Sequence, residues 1–118
     1  MLLEHVTVLI VEGDVPTADA LRAALEQEGA AVFGPATDID AALIALEKLK
    51  PDCAIVSAAL AYETAMRLPK RLNAIGVPYL IWSDEPGDGA SVEGRNAHPG
   101  RTVDRAQLSE AVRTMIAG

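Results

Sequence analysis

Aromatic side chains make up only 3% of the 118 residues, cysteine occurs once, and 10 basic residues face 17 acidic ones. Each shortage excludes something. A core with so few rings is aliphatic and alanine-rich, and the lone Trp82 is a local spectroscopic probe. One cysteine rules out an internal disulfide. Cys53 sits in an apolar run, which reads as a small buried hydrophobe and fits a reducing cytoplasm better than it fits a reactive thiol. A net charge of -7 supplies no basic stripe for phosphate backbones or anionic membrane surfaces, so the expected partner is protein rather than nucleic acid or membrane. No apolar run reaches membrane-spanning length. The first one, Val6 to Val11, follows Glu4 rather than basic residues and reads as a strand, not a signal peptide.

What is present is regular. Hydrophobic residues form 50% of the chain, enough for one buried core, and the expected organisation is a single domain over residues 1–118. Val6-Thr7-Val8-Leu9-Ile10-Val11 stops at the acidic turn Glu12-Gly13-Asp14. Asp14 is placed to cap a helix with Pro16 in its first turn, Ala18, Leu21, Ala24 and Leu25 on one face, and Gly29 at its end. Ala31 to Phe33 reads as a short strand closed by Gly34-Pro35. Thr37 with Asp40 resembles a capping box for a helix running to about Lys48, with Ile39, Ala42, Leu43, Leu46 and Leu49 at helical spacing.

Asp52-Cys53-Ala54-Ile55-Val56-Ser57 is an unbroken apolar strand of the kind buried on both faces of a parallel sheet. Residues 61–73 look helical, with a kink or break expected at Pro69. Tyr79 to Trp82 is a fourth buried strand ending at Ser83. From Asp84 to Gly100 four glycines, two prolines and a single branched aliphatic, Val92, predict a long loop, functional or mobile. Asp104 with Gln107 opens a last helix whose Leu108, Ala111, Val112, Met115 and Ile116 form a stripe. Alternation of strand and helix predicts an α/β fold with a doubly wound parallel sheet, whose ligand crevice lies at the carboxyl ends of the central strands.

Ser57 falls at that edge. Its flanks Val56 and Ala58 do not form a nucleophile elbow, so a small polar strand end outweighs a catalytic serine. Glu12 and Asp14 read as a turn acid and a helix cap more readily than as metal ligands. His5 and His98 stand alone, and Glu12-Gly13-Asp14-Val15-Pro16 lacks the glycine spacing of a dinucleotide loop.

The acidic turn after strand one, the central Pro51-Asp52 strand, the Pro78-led fourth strand ending in Ser83, and the final helix together resemble a response-regulator receiver domain of the CheY-like kind. The nearest subfamily resembles Pro-Phe-x-Phe-Ala-Thr-Gly-Tyr in its fourth strand, which Pro78-Tyr79-Leu80-Ile81-Trp82-Ser83-Asp84-Glu85 matches in part. The resemblance implies a five-stranded parallel sheet of flavodoxin-like topology with the fourth helix replaced by a loop.

It also implies a phosphorylation pocket, which here is degenerate. Glu12 stands at the first acidic position but Gly13 at the second; Ser57 replaces the phosphoacceptor Asp, Ser83 is the sensing hydroxyl, and Arg101 takes the Lys position in Arg101-Thr102-Val103-Asp104-Arg105. His98 falls near the aromatic switch position; a rival alignment puts His98-Pro99 at the Lys position instead.

With two of three carboxylates missing, Mg²⁺ binding is expected to be lost or weak, and no other cofactor is expected. The resemblance implies a non-enzymatic pseudo-receiver of a two-component phosphorelay, in the cytoplasm, acting on a histidine kinase or another regulator; a homodimer is compatible with it. Two alternatives stay open: a receiver with an altered site that still takes phosphate, and a flavodoxin-like module for a small ligand.

Overall fold

The computed structural model describes residues 3–57, 60, 67–82, 95–96, 111–113 and 116. The elements follow in the order β1 (Thr7–Val11), α1 (Val15–Gln27), β2 (Ala31–Ala36), α2 (Ile39–Lys48), β3 (Cys53–Ser57), α3 (Arg67–Ala74), β4 (Tyr79–Trp82) and β5 (Arg95–Asn96). All strand pairings are parallel, in the order β2-β1-β3-β4-β5.

Four strands of four to six residues carry this sheet. Of the expected fifth strand, the described residues include Arg95 and Asn96, with Leu80 opposite Arg95 and Ile81 opposite Asn96. The rest of the 84–100 segment, with its expected loop in place of a fourth helix, lies outside the described residues.

Period-two alternation along the central strands feeds two cores. Val8, Ile10, Cys53, Ile55 and Leu80 face α1, whose Ala18, Leu21 and Leu25 cover them together with Val112 of the last helix. Leu9, Val11, Ala54, Val56, Tyr79 and Ile81 face the other way, onto Ile39, Ala42 and Leu46 of α2 and Leu68 and Leu72 of α3. This is the doubly wound arrangement that the apolar runs predict.

Three local features differ from the sequence reading. β2 does not close at Gly34-Pro35 but continues to Ala36 through a register shift opposite Leu9 to Val11. Gly34 carries this path with φ +100; a Cβ there would meet the backbone of Ala36 and Ile10 at 2.8 Å. The α2 cap is Asp38, whose Oδ1 accepts from the Ala41 amide at 2.7 Å, rather than Thr37. α3 runs through Pro69 from Arg67 to Ala74, so the expected break is not seen within the described part of this helix.

Cys53 is fully buried, and that burial, with a smaller push from the Asp52 charge, drives its thiol up to about 12. Because the folded value lies above the ordinary 9.0, the thiol's contribution to stability is present below pH 9.0 and is lost as the pH rises towards about 12. Iodoacetamide is therefore expected to label Cys53 only as fast as the chain unfolds, and Cys53→Ala to lose stability less steeply in alkali. Rapid labelling of the folded protein at neutral pH would contradict this.

Candidate functional site

The carboxyl ends of β1 and β3 meet in register, Val11 opposite Val56, so Glu12, just past β1, and Ser57, the last residue of β3, lie side by side at that edge. Both are buried polar residues, each 8% exposed. The Glu12 amide donates to the Ala36 carbonyl at 2.9 Å, which holds the end of β1 against the end of β2. Glu12 Oε2 accepts from the Asp14 amide at 3.0 Å, folding the carboxylate back over the β1–α1 turn.

Asp14 is turned to another task. Its Oδ2 accepts from the Thr17 amide at 3.1 Å and from the Thr17 hydroxyl at 2.5 Å, making it the N-cap of α1. The Thr17 hydroxyl bond, then the Thr17 amide bond, hold its carboxyl below the usual range. Gly13, between the two acids, offers no side chain, and a Cβ there would lie 3.3 Å from the Thr37 carbonyl oxygen. At the end of β3, Ser57 Oγ accepts from the Leu60 amide at 3.3 Å, which ties the hydroxyl to the chain three residues on.

Glu12, Gly13 and Ser57 are therefore brought together at one sheet edge, with Asp14 beside them and committed to α1. Ser83, His98 and Arg101 lie outside the described residues. Neither the approach of the Thr37 carbonyl to Gly13 nor the Ser57–Leu60 bond has a signal in the sequence, because each depends on where a backbone group arrives after folding.

The donor set is a poor match for magnesium, a hard cation of octahedral habit held by carboxylates, water and phosphate oxygens. One buried carboxylate and one hydroxyl stand at the strand ends, and no group of three or more His, Cys, Asp or Glu is arranged around a metal position among the described residues. Nor is a general base hydrogen-bonded to Ser57 in the described contacts, as activation of the hydroxyl would need.

No protein-family model and no curated protein matches the chain. Solved structures do. A protein assigned as a response regulator from Chloroflexus aurantiacus is 25% identical with a TM-score of 0.77, over 96% of this chain and 98% of that one. The receiver domain of a sensor histidine kinase from Pseudomonas aeruginosa, solved with magnesium in its active-site cleft, is 18% identical with a TM-score of 0.75, over 96% and 98%. Full-length FixJ from B. japonicum is 20% identical with a TM-score of 0.76; the match covers 97% of this chain but only 59% of FixJ. The chain has the CheY-like receiver-domain fold.

Proposed function

We propose that the chain is a pseudo-receiver: a receiver-fold module of a two-component signalling network that has lost aspartyl phosphorylation and acts, without enzymatic activity, by binding a histidine kinase or another regulator. The observation that carries this reading is the end of β3. Where a receiver of this fold would present an acceptor carboxylate, Ser57 presents a hydroxyl that accepts from the Leu60 amide, next to a Gly13 that supplies no ligand. A neutral serine without a base is a poor acceptor for a phosphoryl group. Completion of the sheet by a fifth strand through Arg95–Asn96, with a loop in place of the fourth helix, belongs to the same proposal, as does a location in the cytoplasm.

Arg101, placed by its sequence position before the last helix, supplies the cation that magnesium supplies in an active pocket. Its planar fork suits a bidentate pair with the Glu12 carboxylate and stays charged at any working pH. Ser83 completes the network as a second hydroxyl. A double-mutant cycle of Glu12→Gln and Arg101→Met, read by chemical unfolding, is expected to give a coupling of about 1 to 3 kcal/mol for a partly buried pair. A coupling of zero would favour the alignment that puts His98 at this position.

The functional reading is tested by presenting the protein as bait with and without Mg²⁺ and acetyl phosphate. The same partner is expected to be held with the same affinity in both. A partner gained or released only in the presence of the phosphodonor would overturn the reading.

A further inference from the structure

Between β2 and α2 lies an open groove of about 350 Å³, whose lining includes Leu9, Phe33, Pro35, Ala41, Ile44 and Lys48. Phe33 is 40% exposed and Ile44 53% exposed; with Val15 they are the large hydrophobic residues left in solvent among the described ones. Ile44 is out of phase with the buried Ile39, Ala42 and Leu46 of its own helix, so packing α2 onto the sheet does not account for an isoleucine there.

Lys48 is the charged residue of this lining. Two arginines nearby are already engaged, Arg22 with Glu26 at 3.2 Å and the Gly34 carbonyl at 2.8 Å, and Arg67 with Asp40 at 2.6 Å, and Lys50 is not part of the lining. Lys48 forms no ion pair with the described residues. In a chain of net charge -7, an unpaired ammonium at the mouth of an apolar groove is a local exception to the overall field.

We propose that the β2–α2 groove binds an apolar molecule carrying one carboxylate, with its tail on Phe33, Pro35 and Ile44 and its head at Lys48 Nζ. The volume falls within the range of small-molecule sites, and the lining has their usual composition, mostly apolar with one polar group that fixes orientation. The lysine stem can lie along the apolar wall while its ammonium stays in water, which places the charge where the head of such a ligand emerges. A second copy would bring another net charge of -7, whereas the ligand brings one charge that Lys48 can meet, so self-association is the less favourable way to cover the groove. The groove borders the pocket at the strand ends through Ala36, whose carbonyl accepts from the Glu12 amide, but none of the residues assigned to the ligand belongs to that pocket.

The test uses the full chain and three probes, decanoate and decyltrimethylammonium below their micelle concentrations and decanol below its solubility limit. Amide shifts in two-dimensional NMR spectra report the location and calorimetry the affinity. Decanoate is expected to saturate one site per chain, to shift the amides of Phe33, Ile44, Ala45 and Lys48, and to bind more tightly than either other probe. Lys48→Gln should weaken it by up to about fivefold, as for an exposed ion pair, and bring it level with decanol. Ile44→Asp should abolish binding, and because residue 44 is exposed the variant should keep the wild-type spectrum elsewhere.

Absence of saturable binding would overturn the proposal. So would equal binding of the cationic probe, indifference to both substitutions, or a concentration-dependent dimer that Ile44→Asp disperses.

Discussion

Millimolar Mg²⁺ is expected to leave the thermal stability and Trp82 fluorescence of the native chain unchanged and to stabilise a Gly13→Asp/Ser57→Asp variant. The native pocket offers magnesium one buried carboxylate, and Asp14 beside it is held by Thr17. The double variant adds an acid on the β1–α1 turn and another at the end of β3, next to Glu12 in the sheet register. Position 13 has no positive φ, so an L-residue fits its backbone, although the new Cβ lies 3.3 Å from the Thr37 carbonyl and that loop must give slightly.

The adjustment lowers the baseline stability of the variant without touching the ligand-dependent increment. That increment should reach about 2.7 kcal/mol when the metal is at 100 times its dissociation constant. Ser57→Asp alone should recover little, because the turn would still lack its second acid. A native chain that saturates below millimolar Mg²⁺ would contradict the assignment.

The second large effect lies in the sheet. Ile55→Ala is expected to destabilise the protein by about 2 to 5 kcal/mol, read as a shift in the urea midpoint with an unchanged slope. Ile55 is 1% exposed, pairs in register with Ile10 on one side and Leu80 on the other, and packs into the core beneath α1, so few neighbours can collapse into the cavity. Ile44→Ala, at an exposed position, should stay within about 0.5 kcal/mol of the native chain. Equal costs at the two positions would mean that the helices and strands are packed differently.

Strand and helix order was legible because it rests on local signals that tertiary packing reinforced. Continuous apolar runs at Leu9 to Val11 and Cys53 to Val56 suit only strands covered on both faces, and the Asp14 cap, Pro16 and Gly29 bracket α1 within two residues of its observed ends. The path of β2 was not legible. Gly34-Pro35 is a strong stop signal, and strand pairing with β1 carried the chain through it to Ala36. Capping chemistry was read in the right place but on the wrong residue, since Thr37 and Asp38 are both good caps and only the backbone geometry chooses between them.

At the site, the residue types at 12, 13 and 57 were readable in the sequence, while their immediate surroundings were not. The Leu60 amide on Ser57 and the Thr37 carbonyl against Gly13 depend on backbone positions that no periodicity encodes. The β2–α2 groove did leave a trace, an isoleucine at position 44 out of phase with its helix.

Intact mass after incubation with Mg²⁺ and acetyl phosphate tests the loss of phosphorylation most directly, with Gly13→Asp/Ser57→Asp as the companion sample. The native chain should keep its unmodified mass throughout, while the double variant should acquire a phosphoryl group that hydroxylamine, which cleaves acyl phosphates, removes. A phosphoryl adduct on the native chain, at Ser57 or at any acid of the turn, would show that the pocket still performs receiver chemistry.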